Sequence, residues 1–184
     1  MAARIAPLDP PYSDRVAEDF AALMPPGVPP IALFRTLAKN PRVLRRVRRG
    51  GLLDPGSITV RQREIVILRT TARAGAEYEW GVHAAFFGSA AGLGEAELAA
   101  TVLAGPDAPC WNEEEALLVH LADELHENAR PSDGTWSALS ACFAEDQLIE
   151  LLVLAGLYRA IAYAVNGTGI ELELGAPRFP VRPG

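Results

Sequence analysis

Glu79 and His83 stand four residues apart in "AEYEWGVHAA", Ala76 to Ala85, a run that otherwise reads as a buried helix. Residues i and i+4 share one helical face, so carboxylate and imidazole can meet. Glu64 lies in the preceding helical run, "RQREIVILR", with Gly75 as a stop between the two. If the helices pack antiparallel, Glu64 sits 11 residues before the turn and His83 8 after it. At about 1.5 Å of rise per residue the offsets are roughly matched, and the three side chains can share one pocket.

A carboxylate beside an imidazole suits proton transfer, because histidine titrates near neutral pH and a buried carboxylate raises that value and fixes the tautomer. An exposed i, i+4 ion pair has the same spacing and is the more common occurrence, so the spacing alone leaves both readings open. A metal site of one histidine and two carboxylates has little support, since there is no HExxH or ExxH pair, and His120 and His126 fall on different faces of their own helix. Neither a GxSxG elbow nor a phosphate-binding or dinucleotide glycine loop occurs, which argues against serine hydrolase, nucleotidyl-transfer and NAD chemistry.

The elements that must position these residues are helices. A short amphipathic stretch from Ser13 to Met24 precedes "PPGVPP", which cannot continue a helix. Helical patterns follow from Ile31 and from Pro41, a tolerated first position. Thr59 with Gln62 forms a capping-box pattern for a helix over Val60 to Ala74, and Asn112 with Glu115 forms another for "EEEALLVHLADELHEN". The next helix, "EYEWGVHAAFFGSAAG", tolerates Gly81 and Gly88 and offers small residues for close helix contacts. A short helix over "GEAELAATVLAG", then helices from about Thr135 to Phe143, with Ser132 as cap, and from Asp146 to Asn166 complete the set. Only "GIELEL" alternates like a strand. The expected architecture is an all-α bundle, with residues 1–30 as N-terminal arm and connector and residues 31–184 as the helical domain.

The 184-residue chain is long enough for one core, and its net charge of −6 argues against general nucleic-acid binding. The charge is uneven: Arg35 to Arg73 holds ten arginines, densest in "RRVRRG", a segment able to touch phosphates, to stay solvated or to pair between subunits. Cys110 and Cys142 fit no CxxC spacing, so they are read as reduced thiols in a cytoplasmic protein whose N-terminus lacks a signal-peptide core. Leu148 to Val165 is apolar enough to consider as a membrane span, but Glu150 and Arg159 argue for a buried core helix and against a membrane partner.

"RQREIVILRTTARAGAEYEWGVHAAFFGSAAGLGEAELAA" resembles the carboxymuconolactone decarboxylase family, which includes the alkylhydroperoxidase D-like proteins. The likeness extends through "LFRTLAKNPRVLRR", "LVHLADELHE", "DGTWSAL" and "LIELLVLAGLYRAIAYAVNGTGIELE", from about Ile31 to Glu173. It implies an alkylhydroperoxidase D-like helical bundle and a homo-oligomer, a trimer or a hexamer. In the peroxidase-like branch the site helix carries CxxC and then a histidine. In this register Ala76 and Glu79 take the two cysteine positions, His83 matches the histidine and Glu64 matches the upstream glutamate. A thiol peroxidase needs a nucleophilic and a resolving thiol, which Ala and Glu cannot supply.

The decarboxylase branch, which works by acid–base residues without a metal or organic cofactor, is the better fit. The resemblance thus implies a cofactor-free enzyme acting on a small carboxylated or lactone-type metabolite. Glu64, Glu79 and His83 are its expected catalytic residues, and Arg69 or Arg73 its anion anchor. Tyr78 and Trp80 either line the pocket or pack. Asp123, Glu124 and His126 match the family's "DELH" pattern and are expected in a structural or interface role. A non-enzymatic oligomeric binding protein and an antioxidant peroxidase are the alternative functions.

Overall fold

Nine consecutive residues of one helix, Arg63 to Thr71, are buried, and the rest of the fold is arranged around them. The computed structural model describes residues 3–181. Among these the elements are α1 (Asp14–Leu23), α2 (Ala32–Leu37), α3 (Pro41–Gly50), α4 (Val60–Arg73), α5 (Glu77–Phe87), α6 (Glu95–Leu103), α7 (Glu113–Asn128), α8 (Asp133–Cys142) and α9 (Glu145–Thr168). The central helix, α4, packs against α5, α6, α7 and α9. A helix so surrounded carries its polar side chains into the interior, where each needs a partner.

Local signals set the boundaries. The Thr59 hydroxyl accepts from the Gln62 amide N–H at 3.2 Å and the Gln62 side chain accepts from Thr59 N–H at 2.7 Å, closing the capping box of α4. Asn112 and Glu115 do the same for α7, and Ser132 caps α8. Asn40 caps α3 ahead of Pro41. Gly75, with φ +64°, takes the left-handed position after α4 and turns the chain directly into α5. That tight reversal packs α4 against α5.

The expectations for α5 and for the tail are corrected in turn. α5 ends at Phe87, with Gly88 at its C-cap, and does not run on through Gly88. Gly81 faces the C-terminal tail and not another helix: a Cβ there would lie 2.4 Å from the Pro177 carbonyl oxygen. Gly81→Ala is therefore expected to lower stability by about 1–3 kcal/mol, read as a shift of the urea midpoint. The second correction concerns "GIELEL", which forms no strand. No neighbouring strand lies beside it among the described residues; instead Ile170 is buried, and the Glu173 carboxylate takes Tyr78 Oη–H at 2.6 Å and the Ala32 N–H.

α1 buries Val16 and Phe20 against Leu44 of α3 in a small satellite core, and Arg48 of the basic segment pairs there with buried Asp19 at 2.7 Å. α9 is long and apolar enough to cross a membrane. One of its faces, including Leu151, Leu154, Tyr158 and Val165, lies in the main core. Both charges that interrupt it have protein partners: Glu150 accepts from Ser57 N and Oγ, and Arg159 reaches His126.

Candidate active site

Glu64 enters the core from α4, Glu79 and His83 from α5. They are 0%, 3% and 3% exposed. His83 Nδ1 lies 2.8 Å from Glu64 Oε2 and His83 Nε2 lies 3.5 Å from Glu79 Oε1, so the imidazole is held between two carboxylates. An ionised carboxylate only accepts, so Nδ1 carries a proton and donates it to Glu64; Nε2, toward Glu79, is the nitrogen left for exchange.

The second oxygen of Glu64 is also occupied. Arg63 Nε donates to Oε1 at 2.9 Å, and Arg63 Nη1 donates to the Leu53 carbonyl at 2.9 Å, which fixes the guanidinium over the carboxylate. Arg63 also sits 5.3 Å from the centre of the Phe87 ring. Phe87 and Tyr158 pack on the imidazole at 5.1 and 4.8 Å between ring centres, Tyr158 edge-on. With His83 protonated, two cations, Arg63 and His83, face two carboxylates in a nearly closed volume.

This balance sets the protonation of His83. Burial opposes the charged ring, but the hydrogen bonds and charges of Glu64 and Glu79 outweigh it, and the imidazole is pushed up to about 9. Burial and the same two carboxylates hold the Tyr158 phenol well above its ordinary range, so it stays neutral. Glu79 Oε2 is buried and has no hydrogen-bond partner among the described residues, an unusual condition for a carboxylate oxygen in a packed interior. The site thus contains a proton on an imidazole and an unoccupied acceptor beside it.

The expected anion anchors lie elsewhere. Arg69 comes five residues after Glu64, about 140° round the helix. It grips Asp123 with Nε at 2.6 Å and Nη2 at 2.7 Å, and its Nη1 caps the Thr101 and Ala104 carbonyls at 3.0 and 3.1 Å. Arg73 pairs with Glu127 at 2.6 Å and with Asp123 at 3.3 Å. Both arginines bind α4 to α7 and neither faces the imidazole. Arg69→Lys keeps the charge but loses the fork, so it is expected to cost about 1–3 kcal/mol in chemical denaturation while leaving the His83 environment unchanged.

Tyr78 and Trp80 flank Glu79 and point away from its face. Tyr78 Oη accepts from Leu33 N–H at 3.0 Å while donating to Glu173; Trp80 Nε1 donates to Thr101 Oγ1 at 2.9 Å and stacks edge-on to Phe179. Both pack, anchoring the N-terminal segment and the tail. No three His, Cys, Asp or Glu side chains among the described residues surround a common metal position. Cys110 Sγ faces the Ala96 carbonyl, and burial pushes its thiol up; Cys142 is exposed at the end of α8.

No family model matches this chain, and no curated protein does. Solved structures do. A cysteine-to-alanine variant of the debrominase Bmp8 in complex with 2,3,4-tribromopyrrole superposes with a TM-score of 0.77 at 15% identity, over 95% of this chain and 94% of that one. Apo Bmp8 gives 0.71 at 14%, over 92% of each chain. An Agrobacterium tumefaciens protein of unknown function, a candidate antioxidant defence protein AhpD, gives 0.68 at 17%, over 75% of this chain and 95% of that one. The chain has the AhpD-like fold. Among AhpD-like neighbours one is an enzyme, and the identities are low enough that the likeness establishes architecture alone.

Arg63, Phe87 and Tyr158 were not singled out from sequence. For Tyr158 there was a signal: one hydroxyl in the apolar run "LAGLYRAIA". Arg63 offered only its adjacency to Glu64, since its orientation depends on the Leu53 carbonyl in a separate loop.

Proposed function

We propose that the chain is an acid–base enzyme of the carboxymuconolactone decarboxylase type, using no cofactor and acting on a small carboxylated or lactone-type metabolite. The observation that carries this reading is His83 clamped between Glu64 and Glu79, with one buried oxygen of Glu79 unpartnered. In decarboxylation the C–C bond to the carboxylate breaks, carbon dioxide leaves, and the electron pair moves into the conjugated lactone carbonyl. His83 Nε2–H then protonates the resulting enolate at carbon and becomes neutral. Glu64 holds the Nδ1 proton throughout, and Glu79 is the group through which Nε2 is recharged. Because the triad is almost fully covered, a substrate reaches Nε2 only when covering side chains move, and half-buried Phe87, against the imidazole and under Arg63, is the candidate to do so.

An antioxidant peroxidase is the second reading, favoured by the AhpD likeness of the fold. Against it, Ala76 and Glu79 stand where the thiols are required, and neither cysteine touches the triad. A homo-oligomer fits the exposed Ile149, Val153 and Tyr163 on the outer side of α9.

The experiment is a turnover screen of carboxylated lactones with wild type, His83→Ala and the Cys110→Ser/Cys142→Ser double variant. Consumption that needs His83 and ignores both cysteines is the expected result. Hydroperoxide reduction that disappears in the double serine variant would instead establish the peroxidase.

A further inference from the structure

A second polar centre lies about 120° round α4 from Glu64, at Thr70. A cavity of about 410 Å³ opens between α4, α7 and α9, bounded by Thr70, Leu125, His126, Leu152, Ala155 and Arg159 among others. Its volume falls within the roughly 300–1,000 Å³ of small-molecule sites. Adjacent residues of α9 serve the two places: Tyr158 edges onto His83, whereas Arg159, about 100° round the helix, faces α7.

Among the described residues Arg159 has no carboxylate partner. Its Nη1 donates to His126 Nδ1, its Nε donates to Tyr163 Oη at 3.1 Å, and the guanidinium lies 5.2 Å from the Tyr163 ring centre. The acids of α7 around it are already engaged. Asp123 is held by Arg69 and Arg73, Glu127 by Arg73, and Glu124 by Ser132 N–H at 2.7 Å and His120 at 3.3 Å. None of these acids lines the cavity, and among its described lining residues Arg159 is the one that carries a full charge. Burial, then the Arg159 and Arg73 charges, hold His126 below its ordinary value, so it stays neutral and accepts from Arg159.

The remaining wall is apolar except at Thr70, whose buried hydroxyl has no hydrogen-bond partner. A guanidinium whose Nη2 is unengaged, an unpaired hydroxyl and an apolar lining describe a receptor for one carboxylate on a hydrophobic body.

We infer that the α4–α7–α9 cavity binds a small apolar monocarboxylate, its carboxylate on Arg159 and its hydrocarbon against Leu125, Leu152 and Ala155. This site is separate from the acid–base triad and does not depend on the reaction assigned to it. It also gives His126, from the "DELH" segment, a role: its neutral Nδ1 orients the guanidinium.

Calorimetric titration of the full-length chain with benzoate and naphthalene-2-carboxylate tests the assignment, with benzamide and naphthalene-2-carboxamide as neutral controls. At least one acid is expected to bind saturably, and at least about tenfold more tightly than its amide, the loss that accompanies a charged hydrogen bond. Arg159→Gln is expected to lower that affinity by a similar factor, with Thr70→Val weakening it less and Arg159→Lys falling between. Thermal melts report that each variant is folded. His83→Ala should bind the acid as wild type does, while the His126 imidazole resonance should shift on titration in wild type.

Equal affinity for acid and amide would overturn the proposal, as would full affinity in folded Arg159→Gln. Loss of binding in His83→Ala would move the ligand to the triad and equally refute it. So would failure of both acids to saturate at millimolar concentration, or equal competition by inorganic phosphate, which lacks the apolar body.

Discussion

Glu64→Ala is expected to destabilise the protein by about 3–5 kcal/mol, because it leaves the buried Arg63 guanidinium and the His83 Nδ1–H without their common acceptor. The penalty comes chiefly from the charge that remains: Arg63 is 7% exposed and cannot recover water without opening the site. Glu64→Gln isolates the electrostatic part. The glutamine oxygen can still accept from His83, but its amide then confronts Arg63 Nε, so an intermediate loss is expected. Urea denaturation at neutral pH reads both values, with the slope m required to stay constant. A loss below about 1 kcal/mol for Glu64→Ala would mean that Arg63 and His83 are not held by this carboxylate.

His83 carries the second large effect, on both turnover and pH dependence. Removing a positioned proton donor costs about 10²–10⁴ in rate, and His83→Ala is expected to lose turnover on that scale. The folded imidazole titrates at about 9, above its ordinary value of 6.5. The unfolded chain therefore releases this proton first as pH rises. The stabilisation is fully present below about 6.5 and is lost as pH climbs through about 9. Wild-type stability should accordingly fall across that window, and a His83→Gln variant should lack the dependence. Turnover should follow the same limb, falling above about 9 as the acid is deprotonated. Glu64→Gln should move that limb to lower pH, since it removes one of the two carboxylates that raise His83.

The triad was legible in sequence because its determinants are local. Helical periodicity puts Glu79 and His83 on one face, and Gly75 supplies the left-handed turn that folds α5 back along α4. The Thr59–Gln62 and Asn112–Glu115 boxes were legible for the same reason: donors and acceptors three residues apart satisfy each other wherever the chain lies.

What was misassigned depends on contacts distant in sequence. Arg69 and Arg73 looked like anion anchors because Asp123 and Glu127, their carboxylate partners, are 54 or fewer residues away and on another helix. "GIELEL" alternates like a strand, yet alternation specifies only a side-chain pattern and a strand needs a neighbour to pair with. Gly81 is small to admit the tail carbonyl of Pro177, an approach that no helix-packing pattern encodes. Arg63 carries no local signal because its position is set by a loop carbonyl, whereas Glu64 beside it is marked by its offset from the Gly75 turn.

These cases share a physical basis. Periodicity specifies which face of a helix a residue occupies; the partner that neutralises a buried charge is chosen by tertiary packing. The site combines both, since α4 and α5 bring three side chains together and a loop-held arginine completes their charge balance.

Whether the two carboxylates keep His83 charged is best decided by an NMR titration of its imidazole nitrogens in the wild-type chain. The ring should remain an imidazolium at neutral pH and lose its proton near 9, with Nδ1 still protonated in the neutral form. A ring already neutral at pH 7, or one protonated on Nε2 in place of Nδ1, would contradict the account.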